Sequence, residues 1–292
     1  MAEGNHRMAA SKPSHGLFVV PTPIGNLRDI TLRALDVLSG VDLIACEDTR
    51  ITSRLLNAYA IETPMAAYHE YNAPKMRPRL IQQLIDGGSI ALVSDAGTPL
   101  VSDPGFKLVR SVIDANLPFT VLPGASASVT GLVTSGLAMD RFLFAGFPPS
   151  RQKARQTFFR EFLACPCSLI FFESAKRLFR SLSDMKTIFG SRYAAVAREL
   201  TKKFEEIQRG SLTTLVEFYG ARQTPKGEIV VIIDPPSMSM RPTSALIDSE
   251  IMAVLANLGV KSAAEHVSHA LGLPRREIYQ RALELRGNDK SE

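Results

Sequence analysis

Asp95, Gly97, Thr98 and Pro99 belong to a polar run, Ser94-Asp95-Ala96-Gly97-Thr98-Pro99-Leu100-Val101-Ser102-Asp103-Pro104-Gly105, which follows the apolar stretch Ile90-Ala91-Leu92-Val93. A short apolar run bounded by turn formers reads as a strand covered on both faces. The apolar pattern resumes with helical spacing from Phe106 to Ile113, so the polar run joins a parallel strand to its helix. Open α/β sheets bind ligands at that carboxyl edge. Glycine lets backbone approach a ligand closely, and proline fixes the loop's shape beforehand. An ordinary strand-to-helix connection is the alternative that pattern alone leaves open.

Other strand ends carry chemistry too. Leu17-Phe18-Val19-Val20 runs into Pro21-Thr22-Pro23-Ile24-Gly25-Asn26. This is neither Gly-x-Gly-x-x-Gly nor a Gly-Lys-Ser/Thr loop, which disfavours dinucleotide binding and P-loop hydrolysis. The strand Val41 to Cys46 delivers Glu47-Asp48-Thr49-Arg50; two acids and a guanidinium there suit orienting a hydroxyl or a base edge. Equally, Asp48 or Thr49 suits capping the helix that follows. Phe119 to Leu122 ends in Pro123-Gly124-Ala125-Ser126-Ala127-Ser128, whose small side chains leave room over a helix N-terminus or serve tight helix–sheet packing.

The elements that must position these residues alternate between strand and helix. Asp29 is expected to cap a helix bearing Leu32, Leu35 and Leu38. A strand at Met65–His69 precedes a basic cluster of Lys75, Arg77 and Arg79, with a helix through Leu80 and Leu84 after it. The strand Arg141–Phe147 meets Pro148-Pro149-Ser150, the expected domain boundary. Beyond it a helix carries Arg151, Lys153, Arg155 and Arg160 beside a buried stripe of Phe158, Phe159 and Phe162; its basic face suits phosphate contact or simple solvation. Strands at 168–172, 193–197 and 229–233 and helices through Leu178 and from Ser211 complete a second α/β region of mixed strand order. The expected division is a disordered lead over 1–16, α/β domains over 17–148 and 149–236, and a helical unit over 243–287. That unit follows a linker at Met238–Pro242. Within it, Ser262-Ala263-Ala264-Glu265 reads as a capping box, and Gly272-Leu273-Pro274 as a turn into a helix with Arg275, Arg276, Arg281 and Arg286. The pair resembles a helix-turn-helix, with a generic helical appendage as the alternative.

At 292 residues and 45% hydrophobic, the chain has enough apolar material for a packed core. No apolar run reaches the roughly 18 residues needed to span a bilayer, and the first sixteen residues lack a signal peptide's apolar centre. Its three cysteines are too few and too poorly spaced for a disulfide framework or zinc site, so reduced thiols in the cytoplasm are expected. The net charge of +5 permits a polyanionic partner.

Taken in order, Pro21-Thr22-Pro23-Ile24-Gly25-Asn26-Leu27, Glu47-Asp48-Thr49-Arg50, the Ser94–Gly105 run, Pro123-Gly124, Ala197-Arg198-Glu199-Leu200-Thr201-Lys202 and Lys226-Gly227-Glu228 resemble one family. It is the ribosomal RNA small subunit methyltransferase I family of the tetrapyrrole-methylase superfamily. The resemblance runs from about Leu17 to Asp234, and the last helices are similar to that family's appended helix-turn-helix segment. It implies two α/β domains of the tetrapyrrole-methylase type with S-adenosylmethionine in the cleft between them, usually as a homodimer. The implied reaction is 2′-O-methylation of a cytidine in the decoding region of 16S ribosomal RNA, with the small ribosomal subunit as partner. By motif position the methionine part of the cofactor falls near Pro21, Asp95, Gly97, Thr98 and Pro99, its middle on Ser126 and Ala127, and its adenosine near Phe172, Ala197 and Gly227. One departure is visible: Ala175-Lys176 stands where the family usually has Pro-His, and Lys176 keeps a cation for phosphate.

Methyl transfer from a sulfonium is an in-line displacement that needs no metal. Holding donor and acceptor in near-attack geometry supplies roughly 7–11 kcal/mol, and a base beside the ribose hydroxyl adds about 10²–10⁴-fold. Glu47, Asp48, Arg50 and Glu199 are expected to face the acceptor, and Asp95 the cofactor. Arg151, Lys153, Arg155, Lys176, Arg177, Lys202, Arg275 and Arg276 are expected to contact RNA. Two competing functions are a methyltransferase of this fold acting on a small tetrapyrrole and a non-catalytic ribosome-binding assembly factor. The basic helices weigh against the first, and the intact Gly97-Thr98-Pro99 loop against the second.

Overall fold

A computed structural model describes residues 13–100, 105–236, 244–255, 258–271 and 273–288. The lead over residues 1–12, the linker at Met238–Pro242, Gly272 and the part of the Asp95 loop at residues 101–104 lie outside the described residues. No helix among the described residues is long and apolar enough to cross a membrane.

The first sheet contains β1 (Gly16–Val19), β2 (Leu43–Cys46), β3 (Met65–Ala67), β4 (Ser89–Val93) and β5 (Phe119–Val121). All pairs are parallel, in the order β3-β2-β4-β1-β5. Helices α1 (Leu32–Gly40), α2 (Thr49–Ala58), α3 (Ala73–Ile85) and α4 (Phe106–Asp114) connect the strands. Alternate strand residues enter opposite cores: Phe18, Ile44, Ala91 and Val93 with Val37, Leu38 and Leu55 on one face, Leu17, Ala45, Ile90 and Leu92 with Leu80, Leu84 and Leu108 on the other. Burial on both faces is why these strands read as unbroken apolar runs. Two local expectations are corrected. Thr31, not Asp29, caps α1 by accepting from the Ala34 N–H, because Asp29 is consumed in a 3-10 turn at Leu27–Asp29. The cluster Lys75, Arg77 and Arg79 lies on α3 rather than before it, since Pro74 sits in the helix's first turn, where a missing N–H costs nothing.

The second sheet contains β6 (Phe142–Gly146), β7 (Ser168–Ser174), β8 (Tyr193–Arg198), β9 (Glu206–Ser211) and β10 (Glu228–Ile233), in the order β6-β7-β10-β8-β9. β6 and β7 are parallel and the remaining pairs antiparallel. Helices α6 (Gln152–Arg160), α7 (Leu178–Phe189) and α8 (Leu212–Gly220) cover one face around Phe159, Phe171, Leu182 and Val231. Helix α5 (Ala127–Ser135) covers the other, with Leu132 against Ile170, Ala195, Val230 and Ile232. A Cβ on Gly131 would stand 3.0 Å from Val230 Cγ1, so glycine sets how closely α5 lies on β10.

This displaces the division expected at residues 148/149. Both α5 and β6 belong to the second sheet, so the chain changes sheets just after β5. The Pro148–Ser150 turn links β6 to α6 within one layer. Residues 1–235 form a single compact unit containing both sheets.

Residues 236–292 are a separate compact unit, with α9 (Ser244–Leu255), α10 (Val260–Leu271) and α11 (Arg275–Asn288). Its core includes Ile247, Ile251, Val260, Val267 and Ile278. Arg281 donates from Nε and Nη2 to the two Asp248 carboxylate oxygens, each at 2.7 Å, tying α11 to α9. Ser262 does not cap α10. Its N–H and that of Ala263 both donate to Gly259 O, which puts Ser262 inside the first turn.

Candidate active site

The three loops leaving β1, β4 and β5 are stitched together. Thr22 and Gly97 exchange N–H···O bonds of 2.9 Å, Thr22 Oγ1 donates to Ser94 O at 3.1 Å, and Thr98 Oγ1 donates to Ala125 O at 3.0 Å. Gly97 has φ +78°, the left-handed region where a Cβ is strained. A Cβ on Gly124 would come within 2.6 Å of Pro21 Cβ, so the bare backbone of Gly124 lies directly against the Pro21 ring.

These loops form one wall of a cleft of about 370 Å³, within the roughly 300–1,000 Å³ of small-molecule sites. Asp95, Gly97, Thr98, Ser126 and Ala127 line this side; Phe172, Leu200 and Val230 of the second sheet's layer line the other. Phe172 is braced edge-on by Phe144 and Phe147, with ring centroids 4.7 and 5.4 Å away. Glu47 and Asp95 supply negative charge beside the loop wall, Glu173 and Glu228 on the second-sheet side. Such a space, polar and acidic at the loops and aromatic at the sheet, fits a cationic, partly aromatic ligand.

Asp95 is fixed from behind, where its Oδ1 accepts the Asp48 N–H at 3.1 Å. Burial raises its pKa above the ordinary carboxylate value. Asp48 itself caps α2, accepting from the Arg50 N–H at 2.8 Å, and pairs with the Arg50 guanidinium at 2.6 Å. Hydrogen bonding from Arg50 holds the Asp48 carboxyl down to about 2. Asp48 thus caps α2 and holds Arg50, whose side chain stays exposed. Neither lines the cleft, whereas Glu47 does.

Glu199 is also turned to structure. It has φ +52°, and its Oε1 accepts from Lys202 Nζ at 2.8 Å and from the Glu228 N–H at 3.1 Å. The Lys202 contact leads in lowering its pKa. Gly227, at φ +96°, leaves the space that the Glu199 carboxyl fills. Pro21, Pro99 and Ala197 are buried, Pro21 against Gly124 and Ala197 in the core beneath α5, while Gly227 is exposed and lies over Glu199.

Among the cations expected to meet RNA, Arg151, Lys153, Lys176, Arg275 and Arg276 are exposed, Arg275 lying 3.2 Å from Glu265. Lys202 is held by Glu199 and Glu228, and Arg177 by Glu173 at 2.7 Å and Pro148 O at 3.2 Å. Arg155 is a correction. It is 3% exposed, and its Nε donates to Asp184 Oδ2 at 2.8 Å, while Gln152 and Gln156 donate to Asp184 Oδ1. Four residues before the core residue Phe159, Arg155 shares its buried helix face. Ile24, Phe147, Glu173 and Leu200 line the cleft without having been singled out. Ile24 and Leu200 sit inside quoted motifs, but Phe147 and Glu173 carry no spacing signal, because only the pairing of β6, β7 and β10 turns them to the cleft.

Residues 16–216 match the Tetrapyrrole (Corrin/Porphyrin) Methylases family, and residues 250–286 match the RsmI C-terminal HTH domain. The Ribosomal RNA small subunit methyltransferase I of Mesorhizobium japonicum is 45% identical over 284 residues, covering 97% of this chain and 96% of its own. The protein of that name from Escherichia coli O157:H7 is 41% identical over 273 residues, covering 93% and 96%. Among solved structures, the methyltransferase CobJ superposes with a TM-score of 0.57 at 15% identity, over 76% of this chain and 95% of its own. Uroporphyrin-III C-methyl transferase from Thermus thermophilus, complexed with S-adenyl homocysteine, gives 0.53 at 15% identity, over 74% and 96%. These two likenesses bear on the fold alone.

Proposed function

The chain belongs to the ribosomal RNA small subunit methyltransferase I family of tetrapyrrole methylases, and from that premise we propose that it methylates the ribose 2′-oxygen of a cytidine in 16S ribosomal RNA. The observation that carries this reading is the cleft in which three stitched loop ends of a parallel sheet oppose the Phe172 wall. S-adenosylmethionine, when bound, supplies an electrophilic methyl group on a sulfonium.

The residues present fit that cofactor. Asp95 offsets positive charge, the bare backbone at Gly97 permits close approach, Ser126 and Ala127 leave space beside α5, and Phe172 and Val230 offer an apolar wall. Of the three acids expected to face the acceptor, Glu47, Asp48 and Glu199, Glu47 is the one that lines the cleft, and it is assigned to accept the proton of the ribose hydroxyl. Exposed Arg151, Lys153 and Lys176 offer phosphate contacts, which position a nucleic acid without reading its sequence.

The small ribosomal subunit is the proposed partner and the cytoplasm the proposed compartment. A homodimer is proposed as well. The edge strand β5 leaves Phe119 and Val121 exposed, and α5 leaves Val129 and Val133 exposed one helical turn apart, apolar surface suited to a second copy. The test is transfer of radiolabelled methyl groups to small subunits purified from cells lacking this chain, with the modified ribose mapped. Label on one cytidine ribose is expected; no transfer overturns the reading.

A further inference from the structure

A second cavity, of about 550 Å³, opens on the first sheet's carboxyl edge and shares Glu47 with the cofactor cleft. We propose that it receives the unstacked acceptor nucleotide of the RNA, with the ribose at Glu47 and the base between Tyr71 and Phe106. This deepens the methyltransferase reading and rests on it.

The cavity lies where β2 and β3 end and where α3 and α4 begin, and Tyr68, His69, Tyr71, Arg77, Phe106 and Lys107 line it. Tyr71 is 94% exposed and Phe106 71%. Two large aromatic side chains left bare beside one concavity keep ring faces open to a ligand. Every base has a π-face, and single-stranded nucleic acids are held by stacking on such rings. Among the described residues, the charged groups facing the cavity are Glu47, Glu70, Arg77 and Lys107. Tyr68 stands beside Arg77, which steadies that guanidinium at the rim, and Lys107 is exposed. Two cations at the rim of an aromatic pocket suit the phosphates that flank a splayed base.

Enzymes that act on a single nucleotide extrude it from its stack. A carboxylate shared by donor cleft and acceptor pocket brings the reacting oxygen and the methyl donor to one place.

The chain contains no tryptophan and six tyrosines, so Phe106→Trp installs its one indole at the pocket, excited selectively at wavelengths where tyrosine does not absorb. Quenching is expected when unmethylated small subunits are added. In parallel, Tyr71→Ala and Arg77→Gln are expected to lower kcat/KM for small subunits on the order of ten- to a hundredfold, the range of one stacked base or charged contact. Affinity for S-adenosylmethionine, read by calorimetry, stays at the wild-type value. Wild-type kcat/KM in both variants, or quenching by a free porphyrin but not by subunits, overturns the pocket assignment while leaving the methyltransferase reading standing. A wild-type chain that methylates no small subunit overturns both.

Discussion

The N–H of Asp48 donates to Asp95 Oδ1 at 3.1 Å, so the turn that caps α2 also aims the carboxylate expected to face the methyl donor. One Asp95 oxygen is used within the protein, and the charge of the group still borders the cleft. Asp95→Asn keeps an acceptor for the Asp48 N–H and removes the charge. A hydrogen bond or contact to a charged group contributes about 1.5–3 kcal/mol, so Asp95→Asn is expected to weaken S-adenosylmethionine binding about ten- to a hundredfold with little change in Tm. Asp95→Ala should lose both affinity and stability. Calorimetry and thermal melts separate the two effects.

Asp95 also sets a pH dependence. Burial raises its pKa above the ordinary 3.8, which favours the neutral acid in the folded state. Cofactor affinity that needs the carboxylate is therefore expected to fall as pH drops through a midpoint above 3.8. Fold stability has the opposite sign, since ionising Asp95 withdraws stability as pH rises through that window. Asp48, held down to about 2 by Arg50, stays ionised throughout. Binding titrations carried down through the acid range should show the midpoint in the wild type and none in Asp95→Asn.

The Arg155–Asp184 pair predicts a stability effect. Burial opposes ionisation of Asp184, but hydrogen bonds from Gln156, Gln152 and Arg155 outweigh it and hold its pKa below 3.8. Its contribution is therefore present above pH 3.8 and lost as pH falls through the depressed value. Asp184→Ala strands a buried guanidinium and is expected to cost about 3–5 kcal/mol, whereas Arg155→Met with Asp184→Leu should recover most of that loss. Chemical denaturation of the two variants decides it.

Gly227 and Gly136 make a matched pair. Both have positive φ, +96° and +70°, so alanine strains the backbone at each by about 1 kcal/mol or more. Only at Gly227 would the new Cβ overlap the Glu199 carboxyl; nothing lies within 4 Å of it at Gly136. Gly227→Ala is expected to destabilise by at least about 1 kcal/mol more than Gly136→Ala and to lower methylation by displacing the Glu199–Lys202 strut. Equal Tm shifts for the two variants would contradict this.

How far the sequence reveals the fold depends on where each element's energy lies. β1, β4, β7 and β10 are apolar along nearly their whole length because both faces are covered, and they are legible as such. β9 is not, since Glu206-Ile207-Gln208-Arg209-Gly210-Ser211 is an edge strand held by backbone pairing to β8 and by Arg209 bonding Ser135 O at 2.8 Å. The sheet to which α5 and β6 belong rests on contacts tens of residues away, which no local pattern encodes. At the site, Asp95, Gly97 and Thr98 are legible because the loop's chemistry and its shape use the same residues. Phe147 and Glu173 are not, because their role depends on which strands lie side by side.

The basic face of α6 gives the last prediction, and it turns on the difference between Arg155 and its neighbours. Arg151 and Lys153 are exposed, while the Arg155 guanidinium is committed to Asp184. Each phosphate contact releases counterions, so the slope of log K against log salt shrinks by about 0.7 per lost contact on single strands and about 0.9 on duplex. Arg151→Ala with Lys153→Ala is therefore expected to reduce the slope by about 1.4–1.8 and to weaken binding across RNA sequences alike. Arg155→Met with Asp184→Leu removes a cation of the same helix without touching that surface, and its slope should match the wild type. A reduced slope in the Arg155 variant, or an unchanged one in the Arg151–Lys153 variant, would place the RNA on another face.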